Sequence, residues 1–288
     1  MNAVAQSVPQ SPAAGTRLRR VVYASRGRRD GPITRLFSPG DLGELLKPFV
    51  FLDYAVLPAT GGPLFGMHPH SGIATITLAL TGALNYEDTT GKSGLLPAGG
   101  VEWMRAGAGV WHDGKIEPGE PMRGFQLWLA LPAHLELAPA ESQYIDPDSV
   151  PHVGPVTVVL GRYGEARSVI RSPEGVNYFK VELEAGQTWN YSPPPGHTVG
   201  WVAVYEGTLL APAPIASGTI AVFNQTDRAF EFTADGKTSF VIGTAIKHPH
   251  ELVLGHYSVH TSPDALTQGQ SEIRRIGERL HASARLPR

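Results

Sequence analysis

The sequence contains the tripeptide His-Pro-His twice, once in FGMHPHSG at residues 65–72 and once in IKHPHEL at residues 246–252. Side chains two residues apart in a β-strand point to the same side. Each copy would therefore present two imidazoles together. Neutral imidazole binds iron, manganese, nickel, copper and zinc, so both copies are candidate parts of a metal site.

A third histidine distinguishes the first copy. His112, in GAGVWHDG, follows at a distance along the chain that two or three antiparallel strands would bring back across the same barrel interior. Three imidazoles converging there could hold a divalent metal. The alternative is that His68 and His70 are partly exposed loop residues and that His112 is a hydrogen-bonded core residue. Spacing alone leaves both interpretations open.

Short strands must position these histidines. Two series of apolar, β-branched segments run through the chain, and glycine turns separate their members, as in IATITLALTG and GWVAVYEGTL. This pattern is typical of β-sandwiches and barrels. ITLALTGAL and VAVYEGTLL both read strand, glycine turn, strand, which indicates a duplicated barrel unit. Near the end, Ser262-Pro263-Asp264 predicts a helix start. Leu266, Ile273, Ile276 and Leu280 lie on one face of this helix, and Gly269 and Gly277 weaken it.

Length and composition predict two domains and narrow the classes of partner. The 288 residues carry a formal charge of −2 and no cysteine, so we expect no direct nucleic acid binding, no disulfide and no thiolate metal site. No apolar run is long enough for a membrane span, and the N-terminus does not read as a signal peptide. We expect a cytoplasmic protein with a disordered N-terminus (1–16), a first domain (17–150) and a second domain with the terminal helix (151–288).

Several stretches resemble the pirins, a family of two-domain cupins. They are KPFVFLDY (47–54), HPHSGIATIT (68–77), YEDTTGKSG (86–94), PAGGVEWMRAGAGVWH (97–112) and GFQLWLALP (124–132). The C-terminal half is similar through GHYSVHTS (255–262) and the final helix. The resemblance implies an all-β bicupin, with two antiparallel β-barrel (jelly-roll) domains in tandem and a C-terminal helix.

The resemblance also implies a metal site in the first domain, usually for iron, which we expect as Fe(II). Its three histidine ligands correspond to His68, His70 and His112, but its glutamate ligand corresponds to Gly114. Three outcomes remain open: Asp113 or Glu117 substitutes for the glutamate, the site has three histidines only, or the site no longer binds metal. An acidic residue common in the first cupin motif is also absent, where Ala74 and Thr75 stand.

The second His-Pro-His has no histidine that would pair with His248 and His250 as His112 pairs with the first copy. We interpret it as a polar loop that packs between domains.

The implied activity is that of a quercetin 2,3-dioxygenase, a metal-dependent oxygenase that opens a flavonol with dioxygen. The alternative is a non-catalytic pirin homologue, either a regulatory protein with a protein partner or a small-molecule binder with a weakened or lost metal site. We assign no catalytic residue from the sequence.

Overall fold

The computed structural model describes residues 18–59 and 66–285, which form short antiparallel strands and two α-helices. The predicted disordered segment, residues 1–16, lies outside the described residues.

The first half of the chain contains β1 (Val21–Ser25), β2 (Arg28–Asp30), β3 (Ile33–Phe37), α1 (Leu42–Leu46), β4 (Phe49–Leu57), β5 (His68–His70), β6 (Ile73–Thr81), β7 (Ala83–Asp88), β8 (Ser93–Pro97), β9 (Val101–Arg105), β10 (Val110–Ile116), β11 (Met122–Ala130) and β12 (Glu141–Ile145). The second half contains a 3₁₀ turn (Pro147–Ser149), β13 (His152–Val153), β14 (Val156–Leu160), β15 (Arg162–Tyr163), β16 (Ala166–Arg167), β17 (Val176–Leu183), β18 (Thr188–Tyr191), β19 (Val199–Glu206), β20 (Thr208–Leu210), β21 (Pro214–Ala216), β22 (Thr219–Phe223), β23 (Phe230–Ala234), β24 (Thr238–Ala245), β25 (Val253–Gly255), β26 (Ser258–His260) and α2 (Pro263–Ala282).

Two compact units result, each built from a larger and a smaller antiparallel sheet. The N-terminal barrel, residues 27–150 with 248–285, has the sheets β12-β9-β6-β11-β4-β3-β2 and β5-β10-β7-β8. The C-terminal barrel, residues 18–26 with 151–247, has the sheets β1-β22-β19-β24-β17-β14-β13 and β18-β23-β20-β21. The predicted all-β bicupin architecture is confirmed.

The two ends of the chain divide between the units differently from the sequence-based boundaries. Strand β1 pairs with β22, with Val21 opposite Phe223, so the first described strand belongs to the C-terminal barrel. Residues from His248 onward return to the N-terminal barrel. Strand pairing over such separations depends on complementary edges that a single sequence does not reveal.

The barrel interiors differ in what fills them. In the N-terminal barrel, β6 is buried on both faces from Ile73 to Ala79, while Leu84, Leu96 and Ile116 of the smaller sheet pack against its larger sheet. Aromatic rings crowd the C-terminal barrel, where Trp189 stacks on Tyr191 at 5.4 Å. The C-terminal barrel interior is therefore a packed aromatic core.

Helix α2 begins where the sequence predicts. The Ser262 side chain accepts a hydrogen bond from the backbone N–H of Ala265, and Pro263 is the first helical residue. The glycines predicted to weaken the helix instead lie on its buried face: a Cβ on Gly269 would lie 2.5 Å from His260 Nε2 and 2.6 Å from Ser71 Oγ. The missing side chain lets the helix approach the barrel. Within the described residues, neither helix is long and apolar enough to cross a membrane.

This contact makes a prediction about stability. Replacing a solvent-exposed helical glycine by alanine stabilises by up to about 1 kcal/mol, but Gly269→Ala forces atoms into the His260 and Ser71 side chains. We expect a loss of about 1–3 kcal/mol in the free energy of unfolding, as for other overpacked sites. Chemical denaturation measures it, with the exposed Ser271→Ala as control. A stabilised Gly269→Ala protein would contradict the packing described here.

Candidate metal centre

The first His-Pro-His forms β5, an edge strand of the smaller sheet in the N-terminal barrel. An edge strand tolerates Pro69, which lacks the N–H that a central strand requires. Strand β5 pairs antiparallel with β10, which sets His68 opposite His112 and His70 opposite Val110. Alternation along both strands then brings His68, His70 and His112 to one face.

The three imidazoles converge through their Nε2 atoms. His112 Nε2 lies 3.0 Å from His68 Nε2 and 3.2 Å from His70 Nε2. His70 is fully buried and His112 is 7% exposed. The structure thus brings together all three histidines that the sequence nominated, and among the described residues these three form a group able to hold a metal ion.

An acceptor faces the Nδ1 atom of each ring. His68 Nδ1 lies 2.8 Å from the carbonyl oxygen of Gly66, and His70 Nδ1 lies 3.3 Å from that of Tyr257. His112 Nδ1 lies 3.5 Å from Glu102 Oε1. We therefore assign the proton of each neutral ring to Nδ1, which leaves the three Nε2 lone pairs directed at one another.

Burial favours the neutral form of His68 and His70, the two histidines of the first His-Pro-His. Burial, together with the nearby His112, lowers the pKa of His68 to about 4. Burial, with His112 and His68 beside it, lowers the pKa of His70 well below its usual value. Both rings are neutral near pH 7, the form in which imidazole binds metal.

These nitrogens fit a divalent transition metal. Metal–nitrogen bonds of about 2.1 Å at right angles would place two ligand nitrogens about 3.0 Å apart, close to the separations observed. Converging lone pairs repel one another and attract a cation. The donor set suits iron, nickel, manganese, copper or zinc alike, so it does not select among them.

The C-terminal hairpin, formed by β25 and β26, packs against the two histidines of the first His-Pro-His. Its turn residue Tyr257 has a φ of +55°, unusual for a residue other than glycine, and this turn carries the carbonyl that faces His70. The tyrosine ring lies 5.7 Å from both His68 and His70. The backbone of this turn is therefore part of the surroundings of the centre.

A buried polar cluster connects the hairpin to Ser71, the residue that follows the first His-Pro-His. Ser71 Oγ lies 2.8 Å from Ser258 Oγ and 3.0 Å from His260 Nε2, and His260 Nδ1 donates to Glu136 Oε2 at 3.0 Å. Glu136 also accepts from the backbone N–H of Thr261 at 2.7 Å. The arrangement resembles a Ser-His-acid triad, but Ser71 is fully buried. The cluster therefore has a structural role.

The acids that the sequence offered as substitute ligands make other contacts. Asp113 Oδ1 accepts a hydrogen bond from the backbone N–H of Gly114 at 2.8 Å, and Glu117 accepts one from the side chain of Asn85. Gly114 itself follows His112 on the same face of β10. A Cβ there would make only ordinary contacts, 3.5 Å from Leu84 Cδ1 and 4.0 Å from Asn85 O.

A pocket in the N-terminal barrel opens beside the imidazoles, with His68 and His112 in its wall. Its apolar lining includes Ile33, Leu57, Leu84, Met122 and Phe125. Its polar lining includes Asp53, Thr77, Glu102 and Gln126. The described lining residues include no lysine or arginine, so the pocket favours an uncharged, largely apolar molecule with hydrogen-bond donors.

Sequence reasoning missed two acids in this pocket, Asp53 and Glu102. Asp53 pairs with Arg35, and burial raises its pKa despite that cation. Glu102, 5% exposed, accepts a hydrogen bond from Thr77 Oγ1. The available signal was a charged residue inside an otherwise apolar strand, as in FVFLDYAV and GVEWMRA. Gly114 and Ala74 stand where the family resemblance implies acidic residues. The pocket nevertheless contains two acids, which other strands contribute: Asp53 from β4 and Glu102 from β9.

The second His-Pro-His lies in the loop between β24 and β25, as predicted. It was expected to pack between domains, but it belongs to the N-terminal barrel unit and His248 contacts Leu131 of that unit. His248 Nε2 donates to the carbonyl oxygen of Leu131 at 3.2 Å, and its Nδ1 accepts from the backbone N–H of His250 at 3.4 Å. Both ring nitrogens of His248 are engaged, so this copy has a structural role.

Two antiparallel barrels with a three-histidine cluster in one of them define a bicupin with a candidate metal centre. Residues 32–129 match the pirin family. A pirin-like protein of Caulobacter vibrioides is 31% identical over 257 residues, which cover 85% of this chain and 87% of that protein. The chain belongs to the pirin family.

Other relatives carry quercetinase names. A Pseudomonas aeruginosa protein named "Putative quercetin 2,3-dioxygenase" is 37% identical over 230 residues, 74% of this chain and 75% of that protein. The crystal structure of a quercetin 2,3-dioxygenase from Acinetobacter baumannii has a TM-score of 0.83 at 26% identity, covering 90% of this chain and 98% of that one. A nickel(II)-bound bacterial pirin of Escherichia coli shares the fold, with a TM-score of 0.63 at 17% identity and coverage of 78% and 99%.

The two tripeptides differ in a way that metal binding can test. We expect His70→Ala to weaken Co²⁺ binding at least 100-fold, because a ligand lost from the centre costs more than an outer partner. The matched change in the second copy, His250→Ala, should leave the affinity unchanged. Isothermal titration of metal-free protein measures both. Equal losses in the two variants would contradict the assignment.

Gly114 offers a test of the open coordination position. Because Gly114 shares a face with His112 and has room for a side chain, Gly114→Glu should add a carboxylate ligand. We expect Co²⁺ affinity to rise about tenfold or more, the scale on which even outer carboxylates act. The same titration checks it, and an unchanged affinity would indicate that another group already occupies this position.

Proposed function

We propose that this protein is a mononuclear metal-dependent oxygenase that acts on a neutral planar phenol of the flavonol type, such as quercetin. The observation that carries the proposal is the position of His68 and His112, whose Nε2 atoms converge at the wall of the pocket. The lining of this pocket is largely apolar and also includes the carboxylates of Asp53 and Glu102. The quercetinase names of several relatives support the same class of substrate.

His68, His70 and His112 would hold the metal, which we expect to be Fe(II). When bound there, the metal would supply the redox chemistry that allows dioxygen to react with the flavonol. Three protein ligands would leave coordination positions free for other molecules, in contrast to a closed structural site.

The remaining pocket residues bind and orient the substrate. Leu84, Met122 and Phe125 offer apolar surface to aromatic rings and exclude water. Glu102, Asp53 and Gln126 offer oxygen acceptors to phenolic hydroxyls. An anionic substrate would meet these carboxylates with no lysine or arginine among the described lining residues. Arg35, which contacts Asp53 of the lining, already pairs with that acid.

A second candidate is a non-catalytic pirin that binds a small molecule or a protein partner. Gly114 favours it, because three neutral imidazoles around a divalent ion leave a charge of about +2, which a carboxylate ligand would reduce. The two candidates share the pocket and differ in turnover.

Flavonol consumption separates them. Metal-loaded protein mixed anaerobically with quercetin and then exposed to oxygen should bleach the flavonol absorption band over many turnovers. His112→Ala should abolish bleaching because it removes a ligand, whereas His250→Ala should bleach at the wild-type rate. Fully loaded wild-type protein that binds quercetin, seen by quenching of tryptophan fluorescence, without bleaching it would favour the binding protein.

A further inference from the structure

We propose that Glu102 is a positioning residue of the metal centre, which orients His112 and compensates the charge of the metal through that ring. The inference rests on the metal site of the proposed function and concerns a group that ligand spacing does not nominate. Glu102 Oε1 lies 3.5 Å from His112 Nδ1, on the side of the ring away from the converging Nε2 atoms.

The neighbouring strands hold the Glu102 carboxylate in place. In the sheet of the N-terminal barrel, β9 lies between β6 and β12, and the register sets Thr77 on one side and Tyr144 on the other directly opposite Glu102. Thr77 Oγ1 donates to Glu102 Oε2, and the Tyr144 hydroxyl lies 3.4 Å from Glu102 Oε1. The Tyr144 hydroxyl donates its proton to Asp88 Oδ2 at 2.9 Å, so Thr77 is the hydrogen-bond donor to Glu102 and Tyr144 packs beside it. These contacts fix the acid beside His112.

His112 differs from its two companions in the charge of its partner. Neutral backbone carbonyls of Gly66 and Tyr257 face the Nδ1 atoms of His68 and His70. A carboxylate acceptor makes the imidazole a more basic ligand than a carbonyl acceptor does. It also places a negative charge near the bound metal ion, with only the His112 ring between them. Of the three ligands, His112 should therefore bind the metal most strongly.

The position of Glu102 also answers the charge problem that Gly114 creates. Three neutral imidazoles provide no negative charge. Asp53 forms an ion pair with Arg35, and Asp113 and Glu117 accept hydrogen bonds from Gly114 and Asn85. Glu102 supplies one negative charge from behind His112 and, unlike a carboxylate at position 114, occupies no coordination position. The charge is reduced while the pocket side stays open for substrate and dioxygen.

The test compares Co²⁺ binding by metal-free wild-type protein, Glu102→Gln and Glu102→Asp, with Glu117→Gln as a nearby acid-to-amide control. Glutamine keeps an oxygen for Thr77 but removes the charge, so we expect affinity 10–100-fold weaker and altered visible absorption bands of bound Co²⁺. Aspartate keeps the charge at greater distance and should restore part of the affinity. Glu117→Gln should match wild type. Circular dichroism checks folding, and if Glu102→Gln does not fold, the comparison of Glu102→Asp with wild type decides.

Three results would overturn the inference. A folded Glu102→Gln with wild-type affinity and spectrum would assign Glu102 to packing alone and leave the three-histidine site intact. A loss of affinity in Glu117→Gln without one in Glu102→Gln would assign the compensating charge to Glu117. A folded wild-type protein that binds no Co²⁺ would overturn both this inference and the proposed function.

Discussion

The convergence of three imidazole nitrogens inside the N-terminal barrel is the arrangement on which the account depends. His68, His70 and His112 turn their Nε2 atoms toward a common point because Gly66 O, Tyr257 O and Glu102 occupy their Nδ1 sides. Without those acceptors the rings could take the other tautomer or rotate, and the lone pairs would no longer meet. The outer partners therefore direct the three Nε2 lone pairs toward a common point.

The C-terminal tail supports this arrangement at two of the candidate ligands, His70 and His112. The Tyr257 carbonyl faces His70. Ser258 and His260 hydrogen-bond to Ser71, the next residue in the chain, and His260 is held by Glu136. Trp111, the residue before His112, donates a hydrogen bond from its Nε1 to the carbonyl oxygen of Ile273 in helix α2, at 2.8 Å. The tail thus holds the neighbours of two ligands, which gives a structural reason for its return to the N-terminal barrel.

Much of this could be predicted from local patterns. The two-residue spacing of His68 and His70 and the cap at Ser262 each follow from one short segment, and both predictions are confirmed. Glu102, Asp53 and Tyr257 could not be found in this way, because their roles depend on the register between strands far apart in the chain. The position of β1 in the C-terminal barrel was missed for the same reason. The close approach of Gly269 to His260 could not be predicted either, since propensity within a helix says nothing about what packs against it.

The most direct test of the central claim is the location of bound metal. Crystals of protein loaded with Ni²⁺ or Fe²⁺, measured at the absorption edge of that metal, should show one anomalous peak, about 2.1 Å from Nε2 of His68, His70 and His112. A peak at His248 and His250 instead, or none at the three-histidine cluster in fully loaded protein, would contradict the account.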